Sequence, residues 1–141
     1  MNQIIYDYIG MPWQLGGHGD GAFDCWGLCR HVWKTHFKID VPLMPVEATS
    51  RQHYALKFRH EMNRMKQSFA AWIQVYEPQN GDAVLMAMFD GHICHIGVYF
   101  DLNDGGVLHA IEGGGTQFSS FKQLENLGFK PKVILRYERN I

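Results

Sequence analysis

Hydrophobic positions along the chain follow two periods, and the period changes near Trp72. Before it, apolar residues recur at steps of three and four. Ile4, Ile5, Tyr8 and Ile9 predict a short helix ending at Gly10. Leu28, Cys29, Val32 and Trp33 predict a second helix from Cys25 to about Phe37. Tyr54, Phe58, Met62, Met65 and Phe69 predict a third over Arg51 to Ala71. The stretch from Lys38 to Thr49 carries Pro42 and Pro45 and reads as a connecting loop. From Trp72 on, β-branched and apolar runs bounded by turn residues predict strands at about 72–76, 82–88, 94–100, 106–111 and 132–138. A short helix around Ser119 to Leu127 interrupts them. Helices first and strands after is an α+β plan, with N-terminal helices packed on a central antiparallel sheet. No repeat, low-complexity tract or linker divides the 141 residues, so a single domain over 1–141 is expected.

Composition narrows the class. A net charge of −1 argues against a nucleic-acid partner held by phosphate attraction. No stretch approaches the roughly 20 apolar residues of a membrane span. The three cysteines Cys25, Cys29 and Cys94 are an odd number and so not a disulfide framework. With no basic-then-apolar leader after Met1, this predicts synthesis in a reducing cytoplasm without a signal peptide. The third helix carries Arg51, Lys57, Arg59, Arg64 and Lys66 against Glu61 alone. That face is either solvated or a contact for an acidic partner or glycan-linked anions.

Candidate chemistry starts at Phe23-Asp24-Cys25-Trp26-Gly27-Leu28, where a Gly-rich loop gives way to the second helix. Asp24 is a natural N-cap, because its carboxylate can accept from free N–H groups of the first turn. A thiol on that turn feels the positive helix end, which favours the thiolate and predicts a lowered pKa for Cys25. The plain alternative is a small buried hydrophobe. Gly16-Gly17 is no phosphate cradle, since no Gly-Lys-Ser/Thr follows. Further on, Gly91-His92-Ile93-Cys94-His95-Ile96-Gly97-Val98-Tyr99-Phe100 and Val107-Leu108-His109-Ala110-Ile111 read as adjacent strands of a hairpin. One cysteine with two strand-borne histidines meets the needs of a Cys–His nucleophile: thiol, base, and a group to orient the base.

In order, Pro-Trp-x-x-Gly-Gly, Phe-Asp-Cys-x-Gly-Leu, Gly-Asp before a strand, His-Ile-Gly-Val-Tyr and Leu-His-Ala resemble the NlpC/P60 family of papain-like cysteine peptidases. The likeness runs from about Trp13 to Ala110 and is greatest to short, single-domain members associated with phage tails. It implies Cys25 as nucleophile, His95 as base and His109 as the third polar residue. It also implies hydrolysis of peptidoglycan stem peptides at a γ-D-glutamyl bond to a diamino acid, no metal or organic cofactor, and phage tail proteins as partners in a virion. Trp13 stands where the family usually has a tyrosine, and its indole N–H can donate to an oxyanion but not accept. Trp26 replaces a small residue; its backbone N–H remains an oxyanion donor, while its indole is expected to narrow the approach to Cys25.

Competing readings differ in class. Cys25 and Cys29, four apart on one helix face, with Cys94 and His95, suggest structural zinc. Strand parity opposes it, since adjacent Cys94 and His95 point to opposite faces, with Cys94 toward the core. A catalytically silent wall-binding or tail module is another reading, and a Cys–His amidase or acyltransferase a third.

Overall fold

The computed structural model describes residues 2–41, 51–66, 71–89 and 91–138. The predicted loop over 42–49 and the end of the third helix over 67–70 lie outside the described residues.

Among the described residues, three helices precede the main sheet. Helix α1 spans Asn2–Tyr8, α2 spans Cys25–Val32, and α3 spans Arg51–Lys66. One π turn, Trp33–Phe37, carries α2 on until Lys38 turns left-handed at φ 57°. The loop before α2 contains a two-residue ribbon, β1 (His18–Gly19) with β2 (Ala22–Phe23), closed by Asp20-Gly21, both with positive φ. The sequence reading placed only loop there.

The remaining strands are β3 (Trp72–Val75), β4 (Ala83–Ala87), β5 (Ile93–Phe100), β6 (Gly106–Ile111), β7 (Gly115–Ser119) and β8 (Lys130–Tyr137). They form one antiparallel sheet in the order β3-β8-β4-β5-β6-β7. Five were expected from the pattern, as was the β5–β6 hairpin; β7 was not. Helix α4 spans Phe121–Asn126 and starts at Ser120, which forms a reciprocal capping box with Gln123.

Period-two alternation sorts the sheet into two faces. Leu85, Ile96, Val98, Phe100, Leu108 and Ala110 join the core under α2, packing with Leu28, Cys29, Val32 and Trp33. Val84, Met86, Tyr99 and Val107 form a second cluster with Leu124 of α4 and with Phe129. Trp33 is fully buried and donates its indole N–H to the Gly81 carbonyl at 2.9 Å, tying α2 to the start of β4. These contacts fix where the first turn of α2 meets the sheet. Two histidines of the α2 region, His31 and His36, take up the Tyr8 hydroxyl at 2.6 and 3.2 Å, so they anchor α1.

Candidate functional site

Cys25 is held by backbone approach more than by side chains. Pro12 to Gln14 run parallel to Phe23, with Phe23 N–H donating to the Pro12 carbonyl and Gln14 N–H to the Phe23 carbonyl, each at 3.1 Å. Asp24 caps α2 as expected, accepting from Gly27 N–H at 2.7 Å. Its other oxygen accepts from Gly16 N–H at 2.8 Å, so one buried carboxylate joins loop and helix. Gly27 lies against the Gly17 carbonyl, where a Cβ would collide. The glycines of both motifs therefore serve close packing around Cys25.

The histidines form a chain. Nε2 of His95 is 2.8 Å from Nδ1 of His109, and Nε2 of His109 is 2.8 Å from the Ser119 hydroxyl. All three residues are buried. The His95 ring stacks on Phe129 at 4.3 Å between centroids. Gly97 belongs to this arrangement too: a Cβ there would stand 3.1 Å from that of His109 and 2.8 Å from the Leu108 carbonyl. Register supplies the rest of the geometry. Met86 pairs with His95 but Ala87 pairs with Ile93, so Cys94 is the extra residue of a bulge.

Cys25, Cys94 and His95 all line one cavity of ≈ 320 Å³ at this end of the sheet, with Trp13 and Phe129 on its walls. No hydrogen bond joins Cys25 to His95. Nδ1 of His95 takes no partner among the described residues. Electrostatics leave both groups neutral. Burial pushes the Cys25 thiol up, and the Asp24 carboxylate adds to this, against backbone N–H groups of Ile96 and Trp26 that favour the thiolate. Partial exposure of Cys25 to the cavity tempers the rise. Burial likewise holds His95 well below the usual imidazole range, with His109 acting in the same sense, and lowers His109 to about 4.

Residues 10–134 match the NlpC/P60 family. The chain belongs to that family. Among solved structures it is similar to the NlpC/p60 domain of the peptidoglycan hydrolase SagA, with a TM-score of 0.61 at 20% identity, covering 96% of this chain and 94% of that one. It is also similar to NlpC1 from Trichomonas vaginalis, with a TM-score of 0.58 at 16% identity, covering 96% of this chain and 42% of that one. A lipoprotein-like NLP/P60 protein from Staphylococcus aureus gives a TM-score of 0.58 at 19% identity, over 96% of this chain and 39% of that one. The chain thus spans well under half the length of the last two. No curated protein matches it in sequence. These likenesses agree with the α+β, papain-like plan of an NlpC/P60 domain.

Within that family fold, four expectations change. The thiol pKa is raised, not lowered, because burial outweighs the helix end and the capping carboxylate sits beside the sulfur. Trp26 does not narrow the cleft: its indole is buried edge-on against Trp33, lining a different cavity with Trp72 and Tyr137. Only its backbone can serve at Cys25. Cys94 is exposed, not turned to the core, because the bulge lifts it out of the pairing at the mouth of the cavity. The same bulge lets Cys94 and His95 reach one cavity despite being neighbours on a strand. Among the described residues no group of three or more His, Cys, Asp or Glu is arranged to hold a metal ion.

Sequence reasoning missed Ser119 and Phe129. A serine next to a helix cap carries no signal of its own. The only available clue to Ser119 is the Thr-Gln-Phe-Ser run after Gly115, which pairs Ser119 with Val107 and brings it diagonally to His109.

Proposed function

We propose that the chain is a cysteine peptidase that hydrolyses an amide bond in peptidoglycan stem peptides. The observation that carries this reading is the buried Ser119–His109–His95 chain, which ends at the cavity that exposes Cys25. Membership of the NlpC/P60 family supports it, as does the likeness to a domain of a protein named a peptidoglycan hydrolase.

Cys25 attacks the scissile carbonyl as its proton passes to Nδ1 of His95. For that nitrogen to accept, His95 carries its own proton on Nε2 and donates it to Nδ1 of His109, whose Nε2–H donates to Ser119. His109 thus sets tautomer and ring angle and moves no proton itself. A raised thiol and a lowered imidazole make a neutral resting pair, so proton transfer accompanies attack. Catalytic hydrogen bonds often tighten only with substrate in place, which fits the unjoined thiol and ring. The backbone N–H of Trp26, which favours the thiolate at rest, donates to the oxyanion, with Trp13 on the cavity wall as a second donor. Collapse returns the proton from His95 to the leaving amine, and water then hydrolyses the thioester by the same base.

The family likeness further suggests a γ-D-glutamyl bond to a diamino acid, and a phage tail as setting. A second reading is a catalytically silent wall-binding module, favoured by the missing Cys25–His95 hydrogen bond and the raised thiol. Digestion of purified peptidoglycan by wild type beside Cys25→Ala decides. New peptide fragments by mass with wild type alone support hydrolysis. Wall binding by both proteins without fragments selects the second reading.

A further inference from the structure

One feature of α3 is unused by this chemistry. Arg64 is spent within the helix, donating to Glu61 at 2.9 Å beside the second cavity. Arg59, a turn earlier, lines the first cavity with Cys25 and His95. Among the described residues no carboxylate pairs with it. Its neighbour Phe58 is buried on the same wall, and Leu15, Met88, Ile93 and Ile111 make much of the remainder apolar. Two carboxylates among the described residues share this lining: Asp24, with both oxygens engaged by Gly16 and Gly27, and Glu112, which follows β6. Arg59 is the one described arginine or lysine of this lining, and its planar fork fits a carboxylate with two parallel N–H···O bonds.

Resting on the hydrolase reading, we infer that Arg59 is a specificity residue that binds a free carboxylate of the substrate beside the scissile amide. Such groups occur on both sides of a γ-glutamyl bond: the α-carboxylate of the γ-linked glutamyl residue, and the carboxylate of the leaving diamino acid. Both present the same chemistry to Arg59, and only one need be engaged. The basic face of α3 then has a share in function, with Arg59 alone of its described arginines turned to the reacting cavity.

The test uses three synthetic stem peptides: one with both carboxylates free, one amidated at the glutamyl α-carboxylate, and one amidated at the diamino acid. Wild type and Arg59→Gln are compared by kcat/KM, and the same pairs by affinity in a Cys25→Ala background. Wild type is expected to discriminate against one amidated peptide by about tenfold or more, the scale of a charge-assisted hydrogen bond. Arg59→Gln should abolish that discrimination while its melting temperature stays unchanged, since the side chain is exposed. Arg59→Lys should restore part of it. The peptide that shows the effect identifies the carboxylate. Cleavage of all three peptides with discrimination unchanged by Arg59→Gln overturns the inference and leaves the hydrolase reading intact. Carboxylate-dependent binding that needs Arg59, without cleavage by wild type, supports the inference and overturns the hydrolase reading. Neither binding nor cleavage overturns both.

Discussion

Two buried polar clusters occupy opposite ends of the same sheet. Where β4 begins and β8 ends, Asp82 accepts from Arg136 Nε at 3.0 Å and Nη2 at 2.8 Å, and from Gln79 N–H at 2.8 Å. Arg136 also donates to the Glu77 carbonyl at 2.9 Å. Where β5 begins and β6 ends, Ser119, His109 and His95 form a neutral chain. The first cluster spends its polarity inside the protein: charge meets charge, and the pair clamps two strand ends. The second is satisfied up to its last member, His95, whose Nδ1 takes no partner among the described residues, at a cavity that also holds a thiol. A closed network suits structure, and a network with one open end suits chemistry. Substitutions at the two ends should therefore act on different observables.

The largest effects separate them outright. His95→Ala should lower turnover per folded molecule by about 10³-fold or more, as loss of a member of a catalytic unit does. Arg136→Met should leave turnover per folded molecule in place and lower stability. It leaves the Asp82 carboxylate buried without its cation, which costs about 3–5 kcal/mol for a fully buried pair. Arg136 is 12% exposed, so the lower end of that range is expected. Urea unfolding gives the stability, and turnover per folded molecule gives the activity. Adding Asp82→Leu to Arg136→Met should recover much of the loss, since replacing both partners by apolar groups is often near neutral. If Arg136→Met instead abolishes turnover at full stability, the contrast between the two ends fails.

How far each end is legible in the sequence differs for the same reason. Asp82 was visible as Gly-Asp before a strand, but its partner lies 54 residues on, and no local pattern joins them. Cys25, Asp24 and the two strand histidines were legible because spacing, turn residues and motif order are local. Ser119 and Phe129 were not. One sits at the end of a five-residue strand hidden behind Gly113-Gly114-Gly115, the other just after the turn at Gly128. The thiol's raised pKa was illegible in principle, because the helix end is a local feature whereas burial is made by the whole fold. Parity read β5 correctly until the bulge at Cys94, which depends on pairing with β4.

An intermediate effect is the pH dependence of stability. His109 is fully buried and its pKa falls from 6.5 to about 4 on folding. The unfolded chain therefore binds the proton first, and stability rises with pH. The contribution is complete above about pH 6.5 and is lost as pH falls toward about 4, with an order of 2 kcal/mol gone by about pH 5. His95 acts in the same direction. His109→Gln removes one titrating group and should flatten the pH dependence of the melting temperature between pH 7 and 5, while keeping a hydrogen-bonding side chain beside His95. It should retain more turnover than His109→Ala. Equal slopes for wild type and His109→Gln would place the pH dependence elsewhere.

The smallest expected effect concerns Trp13 and the boundary of the open end. A tyrosine hydroxyl is the family's usual group there, and the indole N–H was expected to take over part of its work at the oxyanion. The structure places Trp13 on the cavity wall, fixed through its backbone bridge to Phe23, and half-exposed. The N–H groups that favour the Cys25 thiolate belong to the Trp26 and Ile96 backbones. Trp13→Phe keeps an aromatic wall and removes only the indole N–H. If Trp13 is wall, substrate contact weakens slightly, KM rises about threefold or less, and kcat holds, the signature of lost uniform binding. If Trp13 is an oxyanion donor, kcat falls by on the order of 10²-fold at unchanged KM. Steady-state kinetics on one stem peptide separate the two, with Trp13→Ala as the control that removes wall and donor together. A kcat loss shared equally by Phe and Ala variants would return Trp13 to the catalytic end of the comparison.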